Sequence, residues 1–274
     1  MLIAAAQMQS SSVPAENLAK AEIAIQAAAS RGAKLIVFPE IFMAFVAPND
    51  YKPEIVRGRS QSLDGPFVTG LGNLARKSGV WVIAGVLETA EDDARSYNTT
   101  VIFDDTGKLV RFYRKTHLFD AFGFKESDIF APGDRLFEPL DTPFGRMGLF
   151  VCYELRFPEV ARYQAERGAE LLIMPSGWVN GSMKEVHWRH LVVARAIENT
   201  TYMVACDQVG NIYLGRSLLV DPMGVVLAEG SEMEGIIYAD IDLQRVHEVR
   251  NKVPSVAHRR AELYIPTPVH AERR

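Results

Sequence analysis

The sequence lacks features that are typical of disulfide-rich, membrane-spanning and nucleic-acid-binding proteins. Its 274 residues include two cysteines, Cys152 and Cys206, too few for a disulfide framework and typical of a reducing compartment. The N-terminal MLIAAAQMQ has no basic start, and its apolar run falls far short of the roughly 20 residues of a membrane span. The net charge of −4 argues against binding to nucleic acid or anionic lipid, which requires basic patches. We therefore expect a cytoplasmic protein that acts on a small molecule.

Phosphate-binding and metal-binding motifs are also missing from the sequence. Neither G-x-G-x-x-G nor G-x-x-x-x-G-K-[ST] occurs, so no dinucleotide or P-loop site is predicted. His187 and His190 lie three residues apart on a predicted helix, but no third ligand accompanies them at a recognisable spacing. We expect the protein to use no metal and no organic cofactor.

One pattern occurs twice in the sequence. Residues 31–42 read RGAKLIVFPEIF and residues 167–178 read RGAELLIMPSGW. Each stretch follows a predicted helix that begins at a proline, Pro14 or Pro158, and each contains an apolar run typical of a buried strand. Further along, TVIFDDTGKLV and SLLVDPMGVVL both place Asp and Gly three residues apart, as in hairpin turns. We infer an internal duplication of two αββ-type halves.

The predicted strands are apolar at nearly every position, which indicates that both of their faces are buried. Helices would cover one face of each sheet, and the other sheet would cover the second face. The expected fold class is therefore α/β, arranged as a four-layer α-β-β-α sandwich. No stretch has the composition of a linker, which favours a single domain over residues 1–274.

Three residues of different chemistry each lie at the end of a predicted strand. Cys152 ends GLFVC at a strand-to-helix corner, where the partial positive charge of a helix N-terminus would favour the thiolate. Glu40 follows LIVFP, in the place that Ser176 takes in the second copy, and Lys115 closes LVRFYRK. Cysteine chemistry on an acyl carbon needs a nucleophile, a base and a positive group near the oxyanion, which these three residues supply. Cys206, inside the strand YMVAC, is interpreted as a core residue.

The segments VFPEIF, YRKTHLF and VCYELRFPE resemble, in this order, the signatures of the nitrilase superfamily of carbon–nitrogen hydrolases. The resemblance extends over essentially the whole chain, and it implies the nitrilase fold and a Glu–Lys–Cys triad. In this triad Glu40 is the general base, Lys115 the ammonium that stabilises the oxyanion and Cys152 the nucleophile. The resemblance also implies that Glu126, in FGFKESDIF, lies beside the triad and that the backbone N–H of Tyr153 completes the oxyanion hole.

Within the superfamily the chain looks like the Nit branch of amidases, most like the deaminated glutathione amidases, with the omega-amidases close by. Tyr153 stands where true nitrilases usually carry Trp, which counts against nitrile hydrolysis, and Glu154 stands where the branch often has Asp. The implied reaction is hydrolysis of a small carboxylate-bearing amide through a thioester, with release of ammonia. An aliphatic amidase, an omega-amidase and an N-carbamoyl amino acid hydrolase are alternatives. A non-catalytic assembly or regulatory protein on the same scaffold is a further one, against which the intact triad argues.

Three further side chains are candidates for substrate binding. Trp178 is expected either to line the acyl pocket or to belong to the core. Arg156 and Arg195 are candidates for a substrate carboxylate, because a guanidinium group pairs with it bidentately.

Apolar residues outside a single core stripe of the predicted helices, namely Tyr163, Leu191 and Val192, suggest an interface between subunits. The resemblance implies the same, because the superfamily generally oligomerises through these helices. We expect a homodimer or a higher homo-oligomer, with a C-terminal tail, about residues 245–274, that extends to a neighbouring subunit.

Overall fold

The computed structural model describes residues 1–264, in which short strands alternate with helices. The helices are α1 (Pro14–Ser30), α2 (Pro53–Arg59), α3 (Pro66–Ser78), α4 (Pro158–Glu166), α5 (Lys184–Asn199) and α6 (Leu243–Lys252). The strands of the first half are β1 (Leu2–Gln7), β2 (Leu35–Val37), β3 (Trp81–Thr89), β4 (Ser96–Phe103), β5 (Leu109–Arg114), β6 (Asp120–Ala121) and β7 (Phe124–Lys125). Those that follow are β8 (Leu140–Thr142), β9 (Gly145–Leu149), β10 (Leu171–Ser176), β11 (Tyr202–Asp207), β12 (Val209–Gly210), β13 (Tyr213–Leu214), β14 (Leu218–Val220), β15 (Val226–Glu229) and β16 (Gly235–Asp240). Helices α1 to α4 each begin at a proline, whose fixed φ suits a first helical turn.

The two large sheets have the same pattern of parallel and antiparallel pairing. The first has the order β16-β1-β2-β3-β4-β5, with β1, β2 and β3 parallel and the outer pairs antiparallel. The second has the order β8-β9-β10-β11-β14-β15, with β9, β10 and β11 parallel and the outer pairs antiparallel. Strand by strand the halves correspond, which supports the duplication inferred from the sequence.

The predicted hairpin turns occupy equivalent places in the two halves. The N–H of Gly107 donates to the carbonyl of Asp104 over 3.0 Å, and the N–H of Gly224 donates to that of Asp221 over 2.9 Å. The φ angles of the two glycines are 81° and 84°, in the left-handed region that glycine adopts without steric cost. These turns connect β4 to β5 and β14 to β15.

Alternate residues of the central strands belong to two separate cores. In β1, Ile3 and Ala5 pack in the core shared with the second sheet, and Ala4 and Ala6 pack in the core shared with α1 and α3. Helices α4 and α5 pack on the second sheet, and Trp188 of α5 is completely buried there. The α/β sandwich with helices on both outer faces is therefore confirmed.

The structure corrects the expected subunit interface in part. Val192 is completely buried in the core, and Leu191 packs against that core from a partly buried position. The apolar side chains that α5 does expose are Val186 and Ile197. The second sheet and its surroundings bury a wider stripe of α5 than the sequence spacing indicated.

The first part of the expected tail is helix α6, which docks on its own chain. Val246 and Val249 are completely buried, and a guanidinium nitrogen of Arg250 donates to the carbonyl of Ala169 over 2.5 Å. Residues 265–274 lie outside the described residues. Within the described chain, no helix is both long and apolar enough to cross a membrane.

Candidate active site

The loops that follow three strands bring Glu40, Lys115 and Cys152 together. Glu40 comes three residues after β2, Lys115 directly after β5 and Cys152 three residues after β9. Their exposed fractions are 3%, 2% and 8%, so all three polar groups are nearly removed from water. The first half of the chain supplies the carboxylate and the ammonium, and the second half supplies the thiol.

Both carboxylate oxygens of Glu40 are held by hydrogen bonds. Its Oε1 accepts from Lys115 Nζ and from Asn98 Nδ2, each over 2.8 Å. Its Oε2 accepts from the backbone N–H of Gly177 over 2.7 Å, and its backbone carbonyl accepts from the Gln208 side chain over 2.8 Å. Because these partners come from both halves, the orientation of Glu40 depends on how the sheets are docked.

Lys115 lies between two carboxylates. Its Nζ is 2.9 Å from Glu126 Oε2 and 3.1 Å from Glu126 Oε1, in addition to the contact with Glu40. The backbone N–H of Phe119 also donates to Glu126, over 2.5 Å, and Asn98 joins the two carboxylates through its amide. Burial disfavours the charge, but Glu126 and Glu40 together raise the pKa of Lys115 well above its ordinary value. The group is an ammonium ion at neutral pH.

Cys152 begins a 3-10 turn that precedes α4 and has a φ of 46°, an uncommon conformation for a residue with a Cβ. Burial raises the pKa of its thiol, the charge of Glu40 raises it further, and Lys115 opposes the shift. The expected stabilisation of the thiolate by a helix N-terminus is therefore wrong, because a five-residue 3-10 turn follows the thiol and a carboxylate faces it. The resting group is a neutral thiol, and Glu40 lines the same cavity.

Glu154 connects the turn that carries Cys152 to the loop that carries Lys115. Its Oε2 accepts from the N–H of Val151 over 2.7 Å, and its Oε1 accepts from Tyr113 Oη over 2.7 Å and from the N–H of Thr116 over 3.0 Å. The carboxylate is completely buried. Burial favours its protonation, yet the hydrogen bonds hold the pKa of Glu154 below its usual value. The longer Glu, found where Asp was expected from the resemblance, thus has a full set of donors.

A cavity of about 400 Å³ opens onto these groups. Tyr153, directly after Cys152, also lines it, and its N–H is among the first amides of a helical turn, which have no intrahelical acceptor. The other walls are largely aromatic: Tyr51, Phe119, Phe122, Phe124, Trp178 and Tyr213. Lys184 also lines the cavity. Among the residues that the structure describes, no three His, Cys, Asp or Glu are grouped so as to hold a metal ion.

The structure places the remaining predicted residues in different surroundings. Trp178 is 2% exposed and lines the cavity, so it belongs both to the core and to the pocket wall. Cys206 is completely buried, and its thiol donates to the carbonyl of Val37 over 3.2 Å, as expected of a core residue.

Neither arginine lines the cavity. The prediction for Arg195 is wrong, because its Nε and Nη2 donate to the carbonyl of Leu155 and its Nη1 pairs with Glu198 over 2.8 Å. Arg156 lies against Trp178, with its guanidinium carbon 4.8 Å from the centroid of the indole ring, and is outside the set of residues that line the pocket.

Comparison with known proteins identifies the family of the chain. Residues 2–251 match the family described as carbon-nitrogen hydrolase. The chain belongs to this family. It is 37% identical over 262 residues to deaminated glutathione amidase of Escherichia coli O157:H7, covering 95% of this chain and 97% of that protein. It is 35% identical over 272 residues to the human omega-amidase NIT2, covering 96% of each chain.

Solved structures of carbon–nitrogen hydrolases have the same fold. The C. elegans NitFhit protein superposes with a TM-score of 0.88 at 34% identity, covering 96% of this chain and 66% of that one. A mutant of the amidase from Nesterenkonia sp. AN1, with acrylamide added to its active-site cysteine, has a TM-score of 0.78 at 25% identity, with coverage of 96% and 98%. This carbon–nitrogen hydrolase is thus a cysteine-dependent amidase of the nitrilase superfamily that acts on non-peptide amide bonds.

Sequence reasoning missed two polar residues of this hydrolase. Asn98 is the third residue of β4 and Lys184 the first residue of α5. The three triad residues were predicted because each follows a strand that ends at the site. Neither of these two residues does so. The segment GSMKEVHW, with a lysine beside a predicted helix start, was the one available indication of Lys184.

Proposed function

We propose that this hydrolase cleaves small amides that bear a carboxylate, with Cys152 as nucleophile, Glu40 as base and Lys115 as oxyanion ligand. The observation that carries the proposal is the meeting of a buried thiol, a carboxylate and an ammonium at the floor of one cavity. Deaminated glutathione is the leading substrate candidate.

In the first half-reaction, Glu40 accepts the proton of the Cys152 thiol as the sulfur attacks the amide carbon. A base is required because burial and the charge of Glu40 keep the resting thiol protonated. The negative charge that develops on the carbonyl oxygen would be stabilised by the Lys115 ammonium and the N–H of Tyr153. When the intermediate collapses, the proton on Glu40 moves to the nitrogen, ammonia leaves and a thioester to Cys152 remains.

In the second half-reaction, water attacks the thioester while Glu40 accepts its proton. The same oxyanion ligands serve again, and collapse of the intermediate releases the carboxylic acid and returns the proton to the sulfur. Glu40 can perform both steps because hydrogen bonds to both of its oxygens fix its orientation. Residues of this chain supply every proton transfer in the cycle.

Two features support an anionic substrate. Lys184 and Arg156 both lie 4.8 Å from the ring centroid of Trp178, which makes this side of the cavity positively charged. Two of the relatives are named for deaminated glutathione and for omega-amides, and these substrates combine an amide with a carboxylate. An aliphatic amide or an N-carbamoyl amino acid is the competing choice.

The test is ammonia release from deaminated glutathione, α-ketoglutaramate, short aliphatic amides and an N-carbamoyl amino acid. We expect carboxylate-bearing amides to react fastest, and Cys152→Ala to lower kcat by about 10⁴-fold or more. Cys206→Ala removes the other thiol, which lies in the core, and is expected to remain active. Equal rates of wild type and Cys152→Ala would contradict the mechanism, whereas fastest release from an uncharged amide would contradict only the substrate class.

A further inference from the structure

Lys184 is a second ammonium in the cavity that the mechanism does not use. It is the first residue of α5, its exposed fraction is 6%, and it lines the cavity. Three aromatic rings surround its Nζ, at centroid distances of 4.9 Å for Phe119, 4.6 Å for Phe122 and 4.8 Å for Trp178. The side chain is therefore held at the cavity wall by aromatic groups.

Lys184 differs from Lys115 in what balances its charge. Lys115 contacts two carboxylates, whereas in residues 1–264 no carboxylate lies within 4.0 Å of Lys184 Nζ. Cation–π contacts offset only part of the cost of burying an ammonium. Burial lowers the pKa of Lys184, and the nearby Arg156 lowers it further. Cys152 and Asp207 oppose this shift. A bound anion would supply the missing negative charge.

Arg156 is the other cation near Trp178, but its position suits binding less well. It does not line the cavity, and its Nη2 approaches His187 Nδ1 at 3.5 Å. Its positive charge lies beside the indole ring of Trp178 and contributes to the electrostatic potential there. The ammonium that faces the cavity is that of Lys184.

We propose that Lys184 binds the carboxylate of the substrate and thereby selects amides that carry one. This inference rests on the proposed function and identifies the residue that recognises the substrate carboxylate. An ammonium group offers three donors that rotate freely to meet a carboxylate oxygen. The rings of Phe119, Phe122 and Trp178 would pack on the apolar chain that joins the carboxylate to the amide.

The test uses two amides that differ only in the anion, succinamate and butyramide. Replacing Lys184 by Met keeps most of the length and removes the charge, so we expect the KM for succinamate to rise about ten- to hundredfold with little change in kcat. The kinetics of butyramide should stay as in wild type. Lys184→Arg should retain part of the preference, and Lys125→Met, at a lysine with a 63% exposed side chain, is the matched control.

Binding without turnover gives an independent readout. Succinamate binding to Cys152→Ala is measured by calorimetry with and without Lys184→Met, and the second substitution should raise Kd about tenfold or more. An unchanged KM and Kd for succinamate, or equal losses for both amides, would overturn the inference. A loss with Arg156→Met but not with Lys184→Met would do the same. If wild type itself does not prefer succinamate to butyramide, the proposed substrate class fails, and the assignment of Lys184 fails with it.

Discussion

In the proposed mechanism, Glu126 would keep Lys115 charged while Glu40 changes its protonation state. When Glu40 accepts the thiol proton, its negative charge is lost, and Glu126 alone remains to balance the ammonium. The two contacts between Lys115 and Glu126, at 2.9 and 3.1 Å, do not depend on that proton. The second carboxylate thus allows the base to work without releasing the oxyanion ligand.

Replacing Glu126 by Gln tests this role. The amide keeps the shape but removes a charged acceptor, and hydrogen bonds to charged groups contribute about 1.5–3 kcal/mol. We expect kcat to fall about ten- to hundredfold, with a smaller change in KM. Asp128→Asn, two residues along the same 3-10 turn and with a 62% exposed side chain, is the control and should retain activity. Wild-type kcat in Glu126→Gln would show that Glu40 suffices to hold Lys115.

The residues that could be predicted from the sequence are those that follow strands. Glu40, Lys115 and Cys152 are adjacent to apolar runs, and a local pattern therefore reveals them. Asn98 and Lys184 reach the site because β4 and α5 pack beside it, and that packing is not visible in a strand-end pattern. The neutral state of the thiol was also missed, because it depends on burial next to a carboxylate from the other half of the chain.

At the scale of elements, β3 supports the turn that carries Glu40. The N–H of Gly85 donates to the carbonyl of Pro39 over 3.0 Å, and its carbonyl accepts from the N–H of Met43 over 3.2 Å. A Cβ on Gly85 would lie 2.6 Å from Glu40 Cα and would also collide with the backbone nitrogen of Ile41. Glycine at this position of the strand permits the close approach.

Gly85→Ala should therefore lower activity strongly, although it replaces no residue of the proposed triad. A displacement of Glu40 of about 1 Å is expected to lower kcat/KM about 100-fold or more. Gly58→Ala is the matched control, because a Cβ on Gly58, inside α2, would meet nothing within 4 Å. Circular dichroism should show that both variants are folded. Full activity of Gly85→Ala would mean that the turn can move away without disturbing the carboxylate.

Longer strands were predictable from the sequence, and two short edge strands were not. The segment LVRFYRK predicts β5, which contains six residues and ends directly before Lys115. β8 and β15 were missed, since they contain three and four residues and alternate between partly buried and exposed positions. The correspondence of β8 with β16 became visible only from the pairing of the strands.

At the scale of the whole molecule, the interface between the halves contains an unusual carboxyl group. Asp207 is completely buried at the end of β11, and its Oδ1 accepts from the N–H of Trp178 over 2.7 Å. Burial raises the pKa of Asp207 well above its ordinary value, the Trp178 hydrogen bond opposes this, and Glu40 adds to it. Folding therefore favours the protonated form.

The pH dependence of stability follows from this shift. An aspartate in the unfolded chain has a pKa of about 3.9. Above that pH, Asp207 therefore binds a larger fraction of a proton in the folded protein than in the unfolded chain. The contribution of Asp207 is full below that value and is lost as the pH rises towards the folded pKa. We expect the free energy of unfolding of Asp207→Asn, relative to wild type, to increase by about 1 kcal/mol or more between pH 5 and 8.

Urea unfolding at pH 5, 6.5 and 8 measures this difference. The exposed Asp105→Asn is the control, and its stability should stay within about 0.5 kcal/mol of wild type throughout. A difference between Asp207→Asn and wild type that does not vary with pH would show that Asp207 is ionised in the folded protein.

The place of β16 has a consequence for synthesis of the chain. This strand, residues 235–240, pairs along the whole of β1, with Leu2 opposite Asp240 and Gln7 opposite Gly235. During synthesis the apolar β1 edge therefore stays unpaired until residues 235–240 have been translated, and such edges promote aggregation. The nascent first half carries Glu40 and Lys115 but not Cys152. In the proposed mechanism, a growing chain therefore has no nucleophile until its second half is made.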